Sequence, residues 1–142
     1  MAVRPVTQTE IDAVFGGVAD IIADALAREP AEVRPQSRLI ADLGAESIDF
    51  LDIVFRLEQA FRVRIARGQI LEDARGELSE DEFHRDGVLT AAGLARLREV
   101  LDEVPAEAFA PGLRIDDVPL LFTVETFCKV VVRAAPARAG AP

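Results

Sequence analysis

The stretch Asp42-Leu43-Gly44-Ala45-Glu46-Ser47-Ile48-Asp49-Phe50-Leu51-Asp52-Ile53-Val54-Phe55-Arg56-Leu57-Glu58-Gln59-Ala60-Phe61 changes character at its middle. Up to Ala45 it has no regular period. From Ser47 onward apolar residues return every three or four positions, the spacing of an α-helix. Glu46, Ser47 and Asp49 bring oxygens and negative charge to the free amides and positive dipole end of that helix, so the spacing predicts a helix over 47–61. At about 100° per residue, Phe50, Ile53, Val54, Leu57 and Phe61 share roughly one third of the circumference, which makes a core stripe. Ile48, Leu51 and Phe55 gather on a second arc, roughly 100 to 160° from Phe50, with Asp52 beside them. One core does not require two stripes. Either another part of the chain covers the second stripe, or it is a partner-docking face whose apolar anchors supply affinity while Asp49, Asp52 and Glu58 steer. The expectation is partial cover by a later segment, with the remainder left for docking.

Working outward, Thr7-Gln8-Thr9-Glu10 has the spacing of a capping box. Ile11, Val14, Phe15, Val18, Ile21, Ile22, Ala25 and Leu26 then recur at helical intervals, which predicts a first helix over about 9–28. Pro30 and Pro35 would break its continuation, so 29–45 reads as an irregular crossing with Leu39, Ile40 and Leu43 pointing inward. Beyond Ile65 the text is mixed. A second capping-box spacing at Ser79 to Glu82 and a periodic stretch opened by Thr90, through Leu94, Leu97, Val100 and Leu101, predict one short and one longer helix. Thr123 can cap a last helix through Val124, Phe127, Val130 and Val131 to about Arg133. No segment reads clearly as a sheet, since an isolated strand at Val130-Val131-Val132 would have no partner. The expected architecture is all-α, with one domain over 1–133 and a disordered tail over 134–142.

Half of the 142 residues are apolar, enough for a core that folds alone. The net charge of −9 opposes binding to phosphate backbones and anionic lipid surfaces and favours basic partner surfaces. Cys128 is the one cysteine and His84 the one histidine, so neither an intramolecular disulfide nor a Cys/His zinc site is expected. The acidic run over 72–86 lacks the order of a calcium loop and reads as a solvated face. No apolar run approaches the roughly 20 residues that span a bilayer, and the N-terminal residues lack the apolar core of a signal peptide. A cytoplasmic monomer is the expectation. Serine-nucleophile catalysis would need a base near Ser47, and the lone His84 in a polar run and the absence of a Gly-x-Ser-x-Gly elbow argue against an enzyme.

The order Gly44, Ala45, Glu46, Ser47, Ile48 resembles the signature of the acyl carrier protein family. In that family a glycine, one variable residue and an acidic residue precede a modified serine, and a bulky aliphatic residue follows it. Glu46 stands where Asp is more usual, and Ile48 where Leu is. The resemblance continues through Leu51 to Phe61 and reappears at Thr123-Val124-Glu125-Thr126-Phe127. It implies a four-helix bundle in which a phosphopantetheinyl transferase attaches 4'-phosphopantetheine, drawn from coenzyme A, to Ser47, with Gly44 and Glu46 completing the attachment site. Acyl groups would then ride on the arm as thioesters. By the same resemblance Ile48, Asp49, Leu51, Asp52, Phe55 and Glu58 meet partner enzymes, and Ile53, Leu57 and Phe61 line an acyl cavity. Those partners would be acyl-activating, condensing or acyltransferase enzymes with basic docking surfaces. A typical member is about half as long. About fifty residues, 66–115, fill the gap before the last helix and suggest a specialised lipid or polyketide-like pathway, with the insert serving as a lid or a docking element. An aminoacyl or peptidyl carrier and an unmodified adaptor are the alternatives.

Overall fold

Thr7 sets where the first helix begins: its hydroxyl accepts from the Glu10 amide at 3.1 Å while Glu10 accepts from the Thr7 amide at 3.0 Å, a reciprocal cap of the kind worth about 1 kcal/mol. In the computed structural model, which describes residues 6–66 and 68–134, helix α1 runs Gln8–Ala25. It stops short of Arg28 because Ala27 turns left-handed, at φ 55°, and the Arg28 amide bonds back to the Ala23 carbonyl.

The crossing over 29–45 contains one turn of 3-10 helix, Pro30–Glu32. Leu39 and Leu43 are buried as expected, and Ile40 is half-buried. The loop also supplies hydrogen-bond acceptors that a helix end lacks. The Ser37 and Pro35 carbonyls accept from the amides of Val124 and Glu125, at the start of the last helix. Arg38 pairs with Thr123 in an isolated antiparallel bridge, and the Leu39 amide donates to Phe122.

Helix α2, Ser47–Phe61, has the bounds its periodicity indicates. Between it and the last helix lie α3 (Gln69–Arg75), α4 (Glu80–Phe83), strands β1 (His84–Arg85) and β2 (Val88–Leu89), α5 (Ala91–Val100) and two 3-10 turns. The second capping box forms as expected, with Ser79 accepting from the Glu82 amide, and Thr90 caps α5 through the Gly93 amide. Two short helices and a ten-residue one thus replace the single short and single longer helix expected. The strand pair is a further difference. Asp86 and Gly87 both take positive φ, 52° and 81°, and turn the chain so that His84 faces Leu89 and Arg85 faces Val88, the geometry of a two-residue hairpin loop. His84 is half-buried, with its ring beside Phe83.

Helix α6, Val124–Ala134, is buried on nearly every side, as a helix at the centre of a packed structure must be. Its first turn is capped by the Thr123 hydroxyl accepting from Thr126. One flank packs on α1. Phe127 stacks on Phe50 of α2 at a centroid separation of 5.9 Å, with Phe122 edge-on to both rings. Lys129 lies roughly 160° around the helix from Phe127. Its buried ammonium meets Asp102 and Glu103, just beyond α5, so this part of the insert joins α6 on the flank away from α2. Apart from the small hairpin the fold is all-α, a helical bundle whose insert is itself helical. Ala134 belongs to α6, and the rest of the expected tail, 135–142, lies outside the described residues.

Candidate functional site

Gly44 holds φ +74°, a conformation that costs an L-residue roughly 1–2 kcal/mol. The turn is pinned from below by Leu39, Leu43 and Ala45, all buried, and by hydrogen bonds from the Gly44 amide to Ile40 and from the Ala45 amide to Leu39. The anchored chain then enters α2 with Glu46 at the capping position and Ser47 as the first helical residue. Asp49 caps the helix: its carboxylate accepts from the Glu46 amide at 2.8 Å. Ser47 is therefore not needed as a cap. Its side chain is exposed, and its hydroxyl has no hydrogen-bond partner among the described residues. A free hydroxyl at the positive end of a helix suits a group linked through a phosphate, because amides and dipole favour an anion there. The site fits a phosphopantetheine ester on these grounds.

The second stripe of α2 stands open. Ile48, Leu51 and Phe55 are 71%, 53% and 59% exposed, and the expected partial cover by the insert is corrected. The steering acids are less free than their positions in the sequence suggest. Asp49 serves the cap, Asp52 accepts from Arg56 at 3.1 Å, and Glu58 accepts from the Ile65 amide at 2.8 Å, tying down the chain as it leaves α2. Arg56 also reaches Asp24 of α1 at 2.5 Å and bridges the two helices. Ile53 and Leu57 are fully buried in the core and Phe61 is half-buried. Phe61 lies against Gly17 of α1, where a Cβ would come within 2.9 Å of its ring.

A model of the phosphopantetheine attachment site matches residues 17–75, a span that holds this junction and all of α2. The acyl carrier protein AcpXL of Rhizobium meliloti (strain 1021) is 38% identical over 74 residues, which are 51% of this chain and 78% of that protein. The chain belongs to the acyl carrier protein family. AcpXL of Brucella melitensis biotype 1 is 36% identical over 74 residues, 51% of this chain and 80% of the relative. An acyl carrier protein of Campylobacter curvus is 42% identical over 53 residues, 37% of this chain and 69% of its own. No solved structure matches. Acyl carrier proteins are carriers rather than enzymes, their prosthetic group is phosphopantetheine, and membership implies dealings with a phosphopantetheinyl transferase and with acyl-handling enzymes.

Two further features lie outside this junction. Cys128 is fully buried, and burial first, then Glu125 and Glu103, pushes its thiol up to about 12, so it packs as a small apolar residue. The acidic residues Glu72, Glu77, Glu80, Asp81 and Glu82 are exposed, and among the described residues no group of three or more His, Cys, Asp or Glu is placed to hold a metal ion. Among the same residues no helix is long and apolar enough to cross a membrane.

Proposed function

We propose that Ser47 is the attachment serine and that the protein carries acyl groups as thioesters for a specialised lipid or polyketide-like pathway. The observation that carries this reading is the Ser47 hydroxyl, exposed and unpartnered at the start of α2 while Asp49 does the capping. Attachment would join Ser47 Oγ to the phosphorus bearing the pantetheine arm. The bond to the adenosine bisphosphate half of coenzyme A breaks, and the hydroxyl proton passes to a base of the transferase. Gly44 and Glu46 shape the entry to the helix, and Ile48, Leu51 and Phe55 meet partner enzymes. Ile53, Leu57 and Phe61, which pack in the core between α2 and its neighbours, would part to wall an acyl chain. Two features support a specialised pathway: the name AcpXL borne by relatives, and an insert built into the same hydrophobic core as the bundle, which also supports one domain through α6.

The test is intact mass after incubation with coenzyme A and a broad-specificity phosphopantetheinyl transferase. One phosphopantetheine is expected on the wild type and none on Ser47→Ala. Addition to both proteins would move the site elsewhere. Addition to neither, with the protein from its native cell also unmodified, would favour the adaptor reading.

A further inference from the structure

The exposed stripe of α2 continues past Phe55 into an open groove of about 540 Å³ between α1 and α2, lined by Asp20, Ile21, Asp24, Phe55, Arg56, Gln59 and Ala60. Its surface is mainly apolar, from Ile21, Phe55 and Ala60. Its charges are unevenly committed. Arg56 is held between Asp24 and Asp52. Asp20, one turn before Asp24 on α1, is exposed, and its carboxylate has no partner among the described residues. The groove thus offers an apolar floor beside one free negative charge, and its own cation is already neutralised. An apolar side chain flanked by a lysine or arginine complements it.

The distance from Ser47 selects among partners. The residues of α2 in the groove lie about 12 to 20 Å along the helix axis from Ser47, comparable with the reach of an extended phosphopantetheine arm. A transferase must bring its active site to the Ser47 hydroxyl itself, so the first turn of α2 meets it. An enzyme that works on the thiol at the far end of the arm can stand one arm's length away. We propose that the α1/α2 groove docks the enzyme that loads the acyl group, through a segment carrying an apolar side chain next to a cation. This rests on Ser47 bearing the arm. It extends the docking surface from one face of α2 across to α1.

The test uses the full chain, converted to the holo form by a broad-specificity transferase, and a purified ATP-dependent acyl ligase that loads fatty acid onto the thiol. The Asp20→Arg, Gln59→Arg double variant is expected to take the arm to completion like the wild type. It should then raise the ligase KM for the carrier about tenfold, an effect that weakens as salt is added, with kcat unchanged. The Ala95→Arg, Glu99→Arg double variant, on the exposed side of α5, makes the same change of three charges elsewhere and should leave KM unchanged. An unaltered KM for the groove variant, or an equal rise for the α5 variant, would overturn the groove as the docking site while leaving Ser47 as the carrier residue. Absence of the arm from both proteins, with the protein from its native cell also unmodified, would overturn the carrier reading and this proposal with it.

Discussion

Lys129→Met is expected to destabilise the fold by about 3–5 kcal/mol, because it removes one side of a buried ion pair and leaves the other. The side chains of Lys129 and Glu103 are only 6% and 3% exposed, their charged atoms are 2.7 Å apart, and Glu103 also accepts from the Thr126 hydroxyl at 2.5 Å. Asp102, 70% exposed, contributes much less. Urea midpoints followed by far-ultraviolet circular dichroism would measure the loss. A Lys129→Met, Glu103→Leu pair should recover much of it, since no unpaired charge then stays buried. A merely steric defect at Lys129 would not be rescued.

The same pair sets an alkaline limit. Burial pulls the Lys129 ammonium down, but hydrogen bonds to Asp102 and Glu103 outweigh it and hold the group above its ordinary value of 10.5. A folded value above the unfolded one means stability that is intact below about 10.5 and lost as pH rises through the folded value. Lys129 is the only lysine, and the chain has no tyrosine. The Cys128 thiol, however, pushed up to about 12 when folded, ionises from about pH 9 when unfolded and lowers stability there. In a Cys128→Ala background, which removes that contribution, the urea midpoint should hold on the alkaline side up to about pH 10 and fall beyond it. Adding Lys129→Met to that Cys128→Ala background should remove the fall.

Gly93→Ala is the second large effect expected, about 3 kcal/mol of destabilisation. A Cβ there would stand 2.1 Å from the Phe83 carbonyl oxygen and 3.2 Å from Leu89. That carbonyl cannot easily retreat, because it accepts from the Thr90 amide at 3.0 Å, and the Thr90 hydroxyl, which accepts from the Gly93 amide, donates to the neighbouring Glu82 carbonyl at 2.5 Å. Alanine's better helix propensity returns roughly 1 kcal/mol, too little to offset the clash. Gly16→Ala on α1 is the matched control, with nothing within 4 Å of its Cβ, and it should gain about that 1 kcal/mol. A thermal melt that ranks the two variants the other way would refute the close approach of α4 and α5.

The parts of the fold legible in the sequence are those governed by neighbours along the chain. The caps at Thr7, Ser79, Thr90 and Thr123 each involve residues three apart, and the bounds of α2 follow from its own periodicity. The hairpin was legible too, in Asp86-Gly87, a strong turn signal, but it was masked by the surrounding acidic run. Lys129 was not: only the return of Asp102 and Glu103, more than twenty residues upstream, makes a lysine tolerable inside α6. At the site, the short motif marked Ser47. Charge patterning showed where Asp49, Asp52 and Glu58 fall but not that each already has a partner, because the partners are a cap amide, an arginine and a backbone group beyond the helix.

The packing of α1 on α6 joins the two ends of the described chain, and it has a temporal consequence. During synthesis α1 and α2 leave the ribosome early, and the hairpin and α5 can assemble from local contacts soon after. The surface that covers the inner face of α1 arrives last, and so do the Val124 and Glu125 amides that engage the Pro35–Ser37 stretch of the crossing. Long-range closure of this kind slows folding. A nascent chain stalled before residue 124 would lack the packing of α1 on α6, leaving apolar surface of α1 uncovered, and would be a substrate for chaperones before it could be one for a modifying enzyme.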